Sequence, residues 1–211
     1  MKTSKYYDNE RMEIVKFLPP NYYKVLEIGC GYGQFRSNLN DECEYWGVEV
    51  DKVVGKIAEN NLHKVIIGDY FNVYKSLPEN YFDLIICNDV IEHMHDYEYF
   101  FETIKNKMTA TSYLIGSVPN VRFYSNLFKL LILKDWKYQD TGILDNTHLR
   151  FFTKKSLIRI FLDNCFIIDD LKGINGTKCS FFSITLILKN ILILLFGQDS
   201  RYYQYAFRLI K

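Results

Sequence analysis

The sequence has no excess of charge of either sign: 26 Lys and Arg stand against 25 Asp and Glu in 211 residues, a formal net charge of +1. Nucleic-acid binding, which a basic excess or stripe would announce, is therefore not expected. Paired cysteines are lacking too. Cys30, Cys43, Cys87, Cys165 and Cys179 are odd in number and scattered, with no C-x-x-C and no Cys/His cluster at zinc spacing. That excludes a disulfide framework and a structural zinc module, and favours a reducing, cytoplasmic setting. The stretch from Met1 to Asp8 lacks the apolar core of an export signal. No apolar run reaches the roughly 20 residues that cross a bilayer. The longest, Phe181–Phe196, carries Lys189 and Asn190 in its middle. It is expected to pack as a helix over a sheet or at a homodimer interface. Peripheral contact with a membrane or a lipid-linked substrate is the sharper alternative.

What is present is the composition of a globular protein. Hydrophobic residues at 48% suffice for one good-sized core, and no composition shift, repeat or low-complexity tract divides 1–211. Short apolar runs alternate with longer amphipathic ones, the pattern of a parallel sheet covered by helices. Strands are expected at Lys24–Ile28, Tyr45–Val50, Lys64–Ile67, Phe82–Cys87, Ser112–Val118, Phe166–Ile174 and Tyr203–Ile210. Helices are expected from about Asp8 to Phe17, Gln34 to Asn40, Asp51 to Asn61, Asp96 to Met108 and Lys154 to Asn164. Thr153 is the expected N-cap of the last, and Pro19-Pro20 stops the first. A second apolar cluster, within Val121–Lys134, breaks the simple alternation.

The most informative segment is Val25-Leu26-Glu27-Ile28-Gly29-Cys30-Gly31-Tyr32-Gly33-Gln34-Phe35. A buried strand runs into three glycines at alternate positions, where the backbone must turn sharply and approach a ligand closely. The dinucleotide fingerprint G-x-G-x-x-G would need its third glycine at residue 34, which is Gln34. Glu27, on the strand ahead, would repel a pyrophosphate but suits a cationic amino group. S-adenosylmethionine carries an amino group and a sulfonium and no phosphate, so it fits better than a nicotinamide dinucleotide. The second strand ends Gly47-Val48-Glu49-Val50-Asp51. An acidic side chain there can accept both ribose hydroxyls. Glu49 is the first candidate and Asp51 the second, since Asp51 could instead cap the next helix.

With these residues the chain resembles the class I S-adenosylmethionine-dependent methyltransferases over nearly its whole length. The resemblance implies a Rossmann-like α/β fold, a three-layer αβα sandwich around a seven-stranded, mostly parallel sheet. The implied strand order is 3-2-1-4-5-7-6, with helical insertions after strands 5 and 6. It makes 1–120 the cofactor-binding half and 121–211 the acceptor-side half of a single domain. It assigns Glu27, Gly29, Cys30, Gly31 and Gly33 to the methionine part of the cofactor, Glu49 to the ribose and Asp69 to the adenine amine. Asn88 and Asp89, in Asn88-Asp89-Val90-Ile91-Glu92-His93-Met94, would run beneath the cofactor. A narrower likeness lies in Gly142-Ile143-Leu144-Asp145-Asn146-Thr147-His148-Leu149-Arg150-Phe151-Phe152-Thr153 and in Pro119-Asn120-Val121. These resemble methyltransferases of bacterial surface-polysaccharide (O-antigen and capsule) gene clusters, which implies a sugar or glycan-precursor acceptor.

Methyl transfer from a sulfonium is an in-line displacement with an activated donor, so the protein must align the acceptor and exclude water. A sugar hydroxyl would also need a base. His148 is the first candidate and His93 the second, each with a structural role as the competing reading. Arg150 could hold an acidic group of the substrate or pair with Asp145. Asn120 and Tyr124 are candidate acceptor contacts just past the fifth strand. No metal is expected. The rival readings are a methyltransferase for a quinone, lipid or other small metabolite, and a cofactor-binding scaffold without turnover.

Overall fold

The computed structural model describes residues 10–177 and 184–211. Seven strands form one sheet: β1 (Lys24–Ile28), β2 (Glu44–Glu49), β3 (Lys64–Ile67), β4 (Phe82–Asn88), β5 (Met108–Pro119), β6 (Ile167–Gly176) and β7 (Tyr202–Ile210). Their order is β3-β2-β1-β4-β5-β7-β6. β1 to β5 pair in parallel, and β7 runs antiparallel to β5 and β6. The expected Rossmann-like order is the observed one.

Period-two side-chain alternation with both faces covered explains why the central strands are apolar at most positions, Glu27 of β1 being a buried exception. On one face, Leu26 and Ile28 of β1 and Ile85 of β4 meet Phe100, Phe101 and Phe161. On the other, Val25, Leu84 and Ile86 meet Ile14, Phe17 and Phe35. Both faces are therefore covered, and the strand ends carry what polar chemistry the sheet presents.

The helices are α1 (Lys52–Ala58), α2 (Tyr70–Val73), α3 (Tyr97–Lys107), α4 (Tyr124–Leu131), α5 (Lys154–Asp163) and α6 (Ile184–Phe196). Caps set three of the starts. Asp51 accepts from the Val53 and Val54 amides, Asp96 accepts from Tyr99, and Thr153 forms a capping box with Ser156. α4 and α6 fall in the two apolar stretches that broke the alternation, as insertions after β5 and β6.

The two helices expected beside the glycine loop are shorter and tighter. Met12–Phe17 and Gln34–Asn38 are 3-10 turns. Short polar side chains compete with the helical backbone in the second: the Ser37 hydroxyl donates to Gln34 O at 2.9 Å, and the Asn38 amide donates to Glu10 O at 2.5 Å. Leu18, ahead of Pro19, is extended, so the first turn stops where the proline requires. Asp8, its expected start, lies outside the described residues. β5 begins at Met108 rather than Ser112, because Met108 already pairs with Phe82.

Candidate active site

The glycine loop leaves β1 with three left-handed glycines at alternate positions, Gly29 (φ 71°), Gly31 (55°) and Gly33 (78°). Side chains are disfavoured there by backbone geometry, and at Gly29 also by space: a Cβ would lie 2.7 Å from Val90 Cγ2. The loop thus packs directly on the segment after β4. Its amides are tied to β2, with Gly29 N and Cys30 N donating to Val48 O at 2.8 and 3.2 Å.

Glu49 closes this arrangement. One carboxylate oxygen accepts from Gly31 N at 2.9 Å and the other from Asp51 N at 3.0 Å. Burial holds its carboxyl above the ordinary range, opposed by those amides. Asp51 itself is occupied as the cap of α1, which leaves Glu49 as the carboxylate facing the loop. Glu27 is more deeply enclosed. The Tyr45 hydroxyl donates to it. Burial pushes its carboxyl up to about 8, against the pull of Tyr45 and the Arg11 charge. At the end of β4, the side-chain nitrogen and oxygen of Asn88 are both buried without a hydrogen-bond partner among the described residues.

A second group lies two residues beyond Val90. Glu92 is 1% exposed and His148 9%. His148 Nε2 sits 4.0 Å from Glu92 Oε1. His148 Nδ1 is 2.9 Å from Ile143 O, which makes Nδ1 the protonated nitrogen of the neutral ring and puts the lone pair on Nε2. His93 Nδ1 is 3.1 Å from Thr147 O, and the two imidazoles meet edge to face at 4.7 Å between centroids. Ligand atoms of Glu92, His93 and His148 lie within 4.8 Å of one another.

The loop that carries His148 is bolted to the loop that carries Glu92. Leu149 N and Arg150 N both donate to Glu92 O, at 2.8 and 3.0 Å. Asp145, buried, accepts from the Thr147 amide at 2.9 Å and the Thr147 hydroxyl at 2.6 Å. A buried carboxylate beside an imidazole stabilises the imidazolium that forms when the ring takes a proton. The contacts fix the neutral tautomer of His148 and set a buried carboxylate beside its Nε2.

Over residues 4–166 the sequence matches the family described as a methyltransferase domain. The chain belongs to the methyltransferase-domain family. No curated protein sequence matches the methyltransferase. Among solved structures, a SAM-dependent methyltransferase from Archaeoglobus fulgidus is 20% identical, covering 99% of this chain and 95% of its own, with a TM-score of 0.67. The plantazolicin methyltransferase BamL, in complex with a triazolic desmethylPZN analog and SAH, is 12% identical over 99% and 85%, with a TM-score of 0.64. The [4+2]-cyclase SpnF is 14% identical over 99% and 81%, with a TM-score of 0.60. Likeness at this level carries the fold, and the cyclase shows that the fold does not dictate one reaction.

The structure places the remaining candidates of the methyltransferase unevenly. Cys30 is buried beside Gly47, where a Cβ would lie 2.5 Å from its Sγ, so its side chain packs the loop onto β2. Asp69 is exposed and caps α2 through the Phe71 amide at 2.9 Å. Asp89, at φ 53°, gives its carboxylate to Arg11 (2.6 Å), Ser117 (2.8 Å) and Gln204 (2.6 Å). Asn120, expected against the acceptor, is fully buried. Its amide donates to Asp199 O and Tyr202 O at 3.0 and 2.8 Å, and its oxygen accepts from Arg122 N at 3.0 Å, pinning β5 to the entry of β7. Tyr124 is buried against Phe123 at the start of α4. Arg150 does not pair with Asp145. It donates to His95 O at 2.8 Å and lines a cleft with Arg159, Tyr97 and Glu98.

Sequence reasoning missed Arg11, Ser117 and Gln204, and gave Glu92 no role of its own. Glu92 had a usable signal in its place two residues after Val90 on the post-β4 loop. Arg11 had none, being 78 positions from the carboxylate it serves.

Proposed function

We propose that the protein methylates a hydroxyl of a sugar or glycan precursor, using S-adenosylmethionine as donor and His148 as base. The observation that carries the reading is the buried Glu92–His148 pair on loops locked to the segment against which Gly29 packs. The residues present fit the donor. Glu27 and Glu49 offer carboxylates where an amino group and a ribose need them, the three glycines keep the loop open to close approach, and the Asn88 amide is buried with its hydrogen-bonding capacity unused. When bound, the donor supplies a methyl group already activated on a sulfonium. The chain's part is to orient and to move a proton. Glu49 fixes the loop and the ribose side, His148 Nε2 takes the acceptor proton, and Glu92 stabilises the resulting charge. The likeness of Gly142–Thr153 to the polysaccharide branch supports a glycan acceptor, and Arg150 and Arg159 on one cleft suit an acceptor bearing phosphate or carboxylate.

The test is incubation with isotopically methyl-labelled donor and a panel of sugars and sugar nucleotides, with product read by mass spectrometry. Methylation of a sugar hydroxyl, undiminished by EDTA, is the expected result. Saturable binding of S-adenosylhomocysteine with no transfer to any hydroxyl in the panel would favour the scaffold reading, and transfer only to an apolar quinone or lipid would replace the acceptor class.

A further inference from the structure

Helix α6 has thirteen residues, and Ile187, Leu188, Ile191, Leu194 and Leu195 point to solvent along one helical stripe, the last two 74% and 72% exposed. Ile193, on the opposite side, is 2% exposed. α6 packs against α4, whose C-terminal end continues into Leu130, Leu131, Ile132 and Leu133, all exposed. Nine aliphatic side chains on two packed elements exceed the singly scattered apolar residues normal on a soluble surface. The chain then runs Lys134-Asp135-Trp136-Lys137-Tyr138, with Lys129 on the other flank.

We propose that this face seats the protein on an anionic phospholipid surface, with α6 lying in the plane of the bilayer. Thirteen helical residues extend about 20 Å, short of the roughly 30 Å hydrocarbon core, and no helix among the described residues is long and apolar enough to cross a membrane. Three features select a lipid surface over a second copy of the chain. The exposed stripe is wholly Leu and Ile, whereas protein–protein hot spots draw on Trp, Tyr and Arg. Half-buried Trp136 and exposed Tyr138 follow Leu133 closely in the chain, the residue types that form an aromatic belt at headgroup level. Lys129, Lys134 and Lys137 outnumber Asp135 in the same stretch, a complement to anionic headgroups.

The face also connects to the candidate active site. Phe151 meets Trp136 at 5.3 Å, Tyr138 at 6.4 Å and His148 at 6.4 Å between ring centroids. Resting on the proposed glycan activity, this contact delivers an acceptor carried on a lipid directly beside the base.

Flotation of the full chain with phosphatidylcholine vesicles, with and without phosphatidylglycerol, tests the seat. Binding is expected to be tenfold or more stronger, on the order of two lysine contacts, when phosphatidylglycerol is present. The double substitution Leu194→Ser/Leu195→Ser should abolish flotation. Lys134→Gln/Lys137→Gln should reduce it to the level of neutral vesicles. S-adenosylhomocysteine titration, unchanged in both variants, shows that the fold is intact. Failure of the folded protein to float on anionic vesicles overturns the proposal. So does a sedimenting dimer that the leucine substitutions dissociate and vesicles do not compete. Loss of methyl transfer to every sugar would sink the functional reading while leaving flotation as it is, so the two failures are distinguishable.

Discussion

The two ends of the sheet's carboxyl edge are built differently. At the proposed donor end, beside β1 and β2, the residues are close in sequence: Glu27 to Gly33, then Glu49 and Asp51, joined by backbone amides. At the proposed acceptor end, the residues come from afar. Glu92 meets His148 across 56 positions. A cofactor common to many reactions can be held by a local motif, whereas an acceptor is met by loops that differ between relatives. The two ends should therefore be separable by substitution.

The largest expected effect is at the acceptor end. His148→Asn keeps a donor for Ile143 O but removes the base, and should lower turnover about 100-fold or more. Affinity for S-adenosylhomocysteine should stay within about twofold by calorimetry. If affinity and turnover fall together, the ends are not separable and His148 is holding the loop.

Legibility in the sequence follows the same division. The central strands and the glycine loop could be read because each rests on local pattern: a buried strand is continuously apolar, and G-x-G-x-G after it has few alternatives, whereas the strand order came from the family resemblance that this loop supports. The order of Glu49 before Asp51 was also local, since an Asp just ahead of a helical stretch is a ready N-cap, and Asp51 does accept from the Val53 and Val54 amides. Asn120 looked like an acceptor contact because it sits at the correct edge. In the fold its amide bonds across to Asp199 and Tyr202, a pairing some 80 residues away that no motif announces. The tightening of 34–38 into a 3-10 turn was hidden for a similar reason, with Asn38 reaching back to Glu10.

Next in size is Glu49→Ala. The carboxylate would bond a ribose and also fixes Gly31, so its loss should weaken S-adenosylhomocysteine binding about 10- to 100-fold, the value of a charge-assisted hydrogen bond. Any residual turnover at saturating donor should stay close to the parent rate. A fall in saturated turnover as large as that of His148→Asn would mean that the loop also sets the acceptor geometry.

The smallest effect concerns Glu27 and distinguishes a donor contact from a structural carboxyl. In the unfolded chain this group titrates near 4.3. Burial pushes it up to about 8 in the fold. Between those values the folded state holds a proton that the unfolded state has released, so stability falls as pH rises. The contribution is complete below the unfolded value and is lost as pH climbs through the folded one. Glu27→Gln, neutral and of equal size, should remove that slope, which amounts to at most about 1.4 kcal/mol per pH unit in urea unfolding. A bound ammonium beside Glu27 would draw its proton off. S-adenosylhomocysteine binding near pH 7 should then release a proton and show an enthalpy that depends on the buffer, an effect absent in Glu27→Gln. A stability slope without that buffer dependence would leave Glu27 as the partner of Tyr45 alone and move the amino group's contact elsewhere on the loop.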